Sequence, residues 1–95
     1  MQIYFDHPIK DVLGRDVEDG NLGWACAFAL ATAKQGLTGP QKFTRGVLAQ
    51  RIMGSKESLD LTAEEVAEIK AAVGEVFASA LVAPIWQALE GRPVK

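Results

Sequence analysis

Thr62 and Glu65 stand three residues apart at the head of an apolar stripe, and no feature of this chain restricts its fold more. The Thr62 hydroxyl can accept from the Glu65 backbone N–H, and the Glu65 carboxylate can accept from the Thr62 N–H. That is a capping box. Leu61 before the cap and Val66 beyond it fit a hydrophobic staple. Glu64 and Glu65 put negative charge at the positive end of the helix dipole. Val66, Ile69, Val73, Val76 and Phe77 recur at helical spacing on one side. The pattern predicts an amphipathic helix over Leu61–Phe77, with the other segments packed against it. Gly74 inside it costs about 1 kcal/mol against alanine and allows either close approach of another helix or a bend.

The same logic reads three more helices. Asn21 can cap a helix from Leu22 to about Gln35, with Gly36 as its stop. That segment, with Leu22, Cys26, Phe28 and Leu30, is apolar nearly all round and is expected to be buried on most sides. Thr38, Pro40 and Gln41 repeat the capping box, opening a helix to about Met53 with Phe43, Val47, Leu48 and Ile52 inside and Gly54 as its end. Pro84 fits the first turn of a last helix through Leu89, with Ser79 ending the helix before or capping this one. Val82, Ile85, Trp86 and Leu89 form its stripe, and Gly91 followed by Pro93 stops it. Ahead of the helices, Ile3–Phe5 is β-prone. Ile9–Val12 and Arg15–Val17 flank Leu13-Gly14 as a plausible hairpin. Ser55–Asp60 reads as a polar connector. The expected fold is mainly α, about four helices with a short N-terminal β-arm or hairpin. One domain, 1–95, is expected: arm 1–19, helical body 20–91 and tail 92–95.

The apolar share is 48%, and much of it is alanine, which fills little volume. The core is therefore expected to lean on Trp24, Phe28, Phe43, Phe77 and Trp86. Ordering a residue costs on the order of 1.5 kcal/mol, so a monomer of this size has a thin margin that self-association would widen. The net charge of −2 fits neither a disordered chain nor a basic nucleic-acid binder. Cys26 is the single cysteine, so no internal disulfide can form. It reads as a small buried hydrophobe in a protein from a reducing compartment. No apolar run approaches the ~20 residues of a membrane span, and no secretory signal is visible, so a soluble intracellular protein is expected.

Motifs that carry chemistry are missing. His7 is the one histidine, with no second histidine or cysteine cluster to complete a metal site. A Cys26–His7 nucleophile pair would need a coincidence of folding. No glycine-rich phosphate loop is present. Glu64, Glu65 and Glu68 are explained by capping and solvation. The acidic arm lacks the glycine and terminal glutamate of a calcium loop. Neither catalytic residues nor cofactor or metal ligands are therefore expected. The candidate interaction surface has two parts. One is the outer face of the second helix, with Lys42, Arg45 and Arg51, and Lys34 and Lys56 nearby. The other is the arm, with Asp11, Asp16 and Glu18. An acidic arm can meet a basic helix on a neighbouring copy and set register.

Three segments, DHPIKDVLGRDV, LTAEEVAEIKAAVGEVF and APIWQALEG, occur in this order in the chain. Together they resemble small, mostly uncharacterised bacteriophage and prophage proteins in which a PIKD-like arm precedes a helical body ending in an aromatic helix and LEG. The resemblance implies phage origin and a place in the bacterial cytoplasm or the virion. It brings no catalytic or ligand residues. The expected function is non-enzymatic: protein–protein interaction or virion or tail assembly, with self, phage or host protein as partner and a homo-oligomer as one form. One alternative is a small regulator that binds and inhibits a host protein. Another is a weak helix-turn-helix DNA binder, which the glutamates heading the third helix disfavour.

Overall fold

A computed structural model describes residues 2–32, 36–55 and 58–90, and for residues 16–20 the backbone. These residues form β1 (Gln2–Tyr4), β2 (Pro8–Lys10), β3 (Asp16–Asn21), α1 (Leu22–Ala31), α2 (Gly39–Gly54), β4 (Ser58–Asp60), α3 (Ala63–Val76) and α4 (Ser79–Leu89). The architecture is mainly α with a minor β component.

The starts of α1, α2 and α3 follow from their caps. Thr38 and Thr62 each close a full capping box, with Gln41 and Glu65. The Asn21 side chain accepts from the Trp24 N–H at 2.8 Å. β2 and β3 form the expected antiparallel hairpin, Lys10 opposite Asp16. Asp11 holds its turn by accepting from the N–H groups of Leu13 and Arg15 at 2.9 and 3.0 Å. Gly14 takes φ +82°, where a side chain would be strained.

The second strand pair corrects the reading of Ser55–Asp60 as a connector. Residues 56 and 57 lie outside the described ones, but Ser58–Asp60 is a strand antiparallel to β1, with Leu59 opposite Ile3. Leu59 alternates between two polar residues and packs on the core, which selects an extended strand.

The central position predicted for α3 belongs to α1, which packs on both α2 and α3. Its first turn is tied to the arm: Leu22 N–H donates to His7 O at 2.8 Å and Gly23 N–H to Phe5 O at 2.9 Å. A Cβ on Gly23 would lie 3.1 Å from Phe5 Cβ and 3.2 Å from Phe5 O, so a side chain here would press on Phe5. α1 ends at Ala31 with Thr32 as a non-helical C-cap, short of the predicted Gln35; residues 33–35 lie outside the described ones.

The aromatic core is also corrected. The fully buried large side chains are Leu22, Leu61, Ile69, Ile85, Leu89 and Val73. Phe77 is partly buried against them, whereas Trp24, Phe28, Phe43 and Trp86 are exposed. Alanines such as Ala25, Ala29 and Ala72 bring the helices close, and branched aliphatics fill the narrow space better than rings do. Cys26 is buried, as expected.

In α4, Pro84 is the sixth residue, not part of the first turn, and Ala78 is the N-cap without a side-chain bond. Proline cannot donate to the carbonyl four residues back. That carbonyl, Ala80 O, instead accepts from the Val12 N–H of the hairpin turn at 3.0 Å. Trp86 Nε1–H donates to Lys70 O at 3.2 Å, and Lys70 Nζ reaches Glu90 at 2.6 Å, joining α4 to α3. A Cβ on Gly74 would meet Trp86 at 3.7 Å, an ordinary contact, so close helix approach does not require this glycine. The predicted stop at Gly91 and Pro93 and the tail 92–95 lie outside the described residues.

Candidate protein-interaction surface

The charged residues singled out in the sequence do not form one open surface. Arg45 was expected on the solvated face of α2 but is 4% exposed. Its Nε donates to Glu68 at 2.6 Å and its Nη1 to Glu75 at 3.1 Å, both carboxylates projecting from α3. Burial works against the guanidinium charge, and the two carboxylates outweigh it, so its pKa is raised. Arg51 donates to Glu65 at 2.6 Å and to the Asp60 carbonyl at 3.4 Å. The Thr62 N–H bond and the Arg51 contact hold the Glu65 carboxyl below its usual range. The glutamates of α3 thus neutralise two of the three cations within the chain; Arg51 is still partly open to solvent, and Lys42 is exposed without an ion-pair partner among the described residues. α2 met α3 rather than water because Arg45 projects beside Leu48 and Ile52 on the inward side of the helix, a detail that spacing alone does not resolve.

On the arm, Asp11 is committed to its own turn and to the Arg15 side chain at 3.0 Å. The Arg15 backbone N–H, before any other contact, holds its carboxyl below the usual range. The side chains of Asp16 and Glu18, and the residues Lys34 and Lys56, lie outside the described ones.

The surface that stands out was assigned to the core by the sequence reading. Trp24, Phe28 and Ala31 recur at i, i+4 and i+7 on the outer side of α1. Trp24 and Phe28 are 44% and 43% exposed and stack at 5.1 Å between ring centroids. Phe28 also meets Phe77 at 6.1 Å. Trp24, near the start of α1, and Met53, near the end of α2, share the walls of a furrow, so the two helices run antiparallel. The furrow measures about 340 Å³ and is lined by Trp24, Ala27, Phe28, Ala31, Ala49, Gln50 and Met53. This is the small end of the range for ligand pockets, and it is open to solvent, which suits a protruding side chain more than an enclosed molecule. Along α2 the same helical row continues through Phe43, Val47, Gln50 and Met53, with Phe43 74% and Met53 60% exposed. None of these residues is ionisable. The signal available in the sequence was α1 itself: a helix with no polar side cannot turn every side inward in a chain this short.

The groups capable of chemistry are elsewhere. Cys26 is fully buried, and desolvation pushes its thiol up to about 12, so it is not a nucleophile near neutral pH. His7 is exposed on the arm. Among the described residues no cluster of three or more His, Cys, Asp or Glu side chains is placed to hold a metal ion. No helix among them is long and apolar enough to cross a membrane. No known protein family, curated protein or solved structure matches the chain.

Proposed function

We propose that this chain is a non-enzymatic bacteriophage or prophage protein that works by binding protein, in virion or tail assembly, in the bacterial cytoplasm or within the particle. The observation that carries the reading is the uncharged apolar face of α1 and α2. A small monomer seldom exposes large apolar side chains side by side unless they meet a partner. The phage setting rests on the resemblance of the three segments named above. The face replaces the acidic-arm and basic-helix pairing expected from sequence, because Arg45 and Arg51 are already paired within the chain.

The test is a photocrosslinking residue placed at Gln50, on the furrow wall, and separately at Ala71, exposed on α3, in phage-producing cells. The expected result is a single adduct of defined mass from position 50, weakened by Phe28→Ser and not seen from position 71. Mass spectrometry of the adduct names the partner. A virion or assembly protein, or this chain itself, supports the reading. A host enzyme as the sole adduct replaces assembly with inhibition of the host. No adduct from position 50 removes the proposed surface.

A further inference from the structure

We infer that the occupant of the furrow is a second copy of this chain, paired through antiparallel α2 helices about a two-fold axis near Val47 and Gln50, with Phe43 of each copy seated in the other's furrow. The inference rests on the reading of this face as a protein-binding surface.

Three observations carry it. First, the face holds a knob and a hole on one helical row. Phe43 is the most exposed large apolar side chain and lies two turns from Gln50, outside the furrow of its own chain. Phe43 and Met53 are ten residues apart, about 15 Å along the helix. A two-fold axis midway between them superposes each copy's Phe43 on the other's Met53 and Trp24. A contact of this kind must be self-complementary, and a row with a knob at one end and a hole at the other satisfies that condition.

Second, Gly46 lies beside the proposed axis. Glycine is among the least favourable residues in a helix interior. Nothing lies within 4 Å of a Cβ built there, so no contact within the chain explains it. A missing side chain at the axis lets two α2 backbones approach.

Third, the charges at the ends of the row match. Asp6 borders the end of the furrow, in a notch shared with Trp24 and Met53, and Lys42 adjoins Phe43. Both are exposed, and among the described residues neither has an ion-pair partner. The antiparallel arrangement carries Lys42 of one copy to Asp6 of the other, twice. At the centre, where a two-fold axis brings like residues together, the face has no charge to repel its twin.

The area is sufficient for a weak contact. Scaling aromatic and methionine side chains of roughly 200 Å² by their exposures gives roughly 450 Å² per copy from Trp24, Phe28, Phe43 and Met53. With Val47 and Gln50 the total approaches the roughly 1,000 Å² floor for specific association. The dimer is therefore reversible and concentration-dependent.

The experiment is sedimentation equilibrium of the full chain from about 1 μM to about 1 mM, with circular dichroism as a check on folding. The expected result is a monomer–dimer equilibrium within that range. Phe43→Ser removes an exposed side chain and Gly46→Gln places a good helix former in open space, so both should stay folded. Each should weaken dimerisation about tenfold or more. Lys42→Glu and Asp6→Lys should each weaken it roughly two- to five-fold, and the two together should restore it. A strict monomer at 1 mM, or a dimer indifferent to Phe43→Ser and Gly46→Gln, overturns the inference. A monomer whose position 50 crosslinks to another protein overturns the second copy alone and leaves the binding face standing. A monomer with no adduct removes both.

Discussion

Replacing the two glutamates that hold Arg45 should do more damage than replacing Arg45 itself. The arginine side chain is 5% exposed, whereas those of Glu68 and Glu75 are 36% and 25% exposed. If Glu68→Gln and Glu75→Gln are combined, the amides can still accept hydrogen bonds, but the guanidinium charge stays buried without a counter-charge. Stranding a buried charge costs roughly 3–5 kcal/mol. In Arg45→Met the buried charge itself is gone. The carboxylates are near enough to water to rehydrate, and the methionine fills the space of the arginine stem beside Leu48 and Ile52. Two charge-assisted hydrogen bonds are lost, against the desolvation no longer incurred, leaving a net loss of about 1–2 kcal/mol. For a domain of this size each kcal/mol moves the melting temperature by about 4–8 °C. Thermal unfolding by circular dichroism should therefore show a drop of at least about 12 °C for the double glutamine variant and a smaller one, within about 4–16 °C, for Arg45→Met, with urea midpoints in the same order. If Arg45→Met falls as far as the double variant or farther, the asymmetry of burial is not what governs this cluster.

Three further outcomes follow from single positions. Gly74→Ala should raise stability by up to about 1 kcal/mol, because the added Cβ meets Trp86 at an ordinary 3.7 Å, whereas Gly23→Ala should lower it, because its Cβ presses on the Phe5 backbone; urea unfolding of the pair gives the two signs. Stability should fall as pH rises from about 9 towards 12, since the Cys26 thiol ionises in the unfolded chain before it can in the folded one. The slope reaches at most about 1.4 kcal/mol per pH unit and should be missing in Cys26→Ala. Pro84→Ala restores an N–H that competes for Ala80 O, so it should gain less than the ~3 kcal/mol usual for removing a helix proline, and the Val12 amide should exchange faster; unchanged Val12 protection would refute the role of that carbonyl as the hairpin's anchor.

The starts of α1, α2 and α3 were legible because each is decided within four residues. Thr38 with Gln41, Thr62 with Glu65 and Asn21 before Leu22 carry their own hydrogen-bond partners, and no distant segment can overrule them. The strand at Ser58–Asp60 was not legible, because what makes it a strand is β1, more than fifty residues earlier. Pro84 misled for a related reason. Local rules place proline in a first turn, but an acceptor freed in mid-helix is tolerable once a hairpin N–H from elsewhere supplies the missing bond. Arg45 shows the same limit in charge: its spacing on α2 marks a polar position, and only the fold shows two carboxylates of α3 waiting there.

The exposed face has a geometric origin in α1. Every residue of this helix is apolar or small, so wherever it is placed each of its sides presents carbon. α2 and α3 cover two sides, and the arm covers its first turn. Leu22, Ala25, Cys26, Ala29 and Leu30 satisfy those contacts and are buried. What is left is the row Trp24, Phe28 and Ala31, which holds the two largest side chains of the helix. A helix that served only as a core element would gain solubility from a polar residue at each of these positions, at little loss of packing. The neighbouring row of α2 repeats the choice, with Phe43 and Met53 turned outward while two of its three charged residues, Arg45 and Arg51, are directed to α3 and the third, Lys42, stands at the row's end. Two adjacent helices that both keep charge off the middle of one side, and both set large apolar groups on it, leave a surface whose lowest free energy is reached against another surface of the same character.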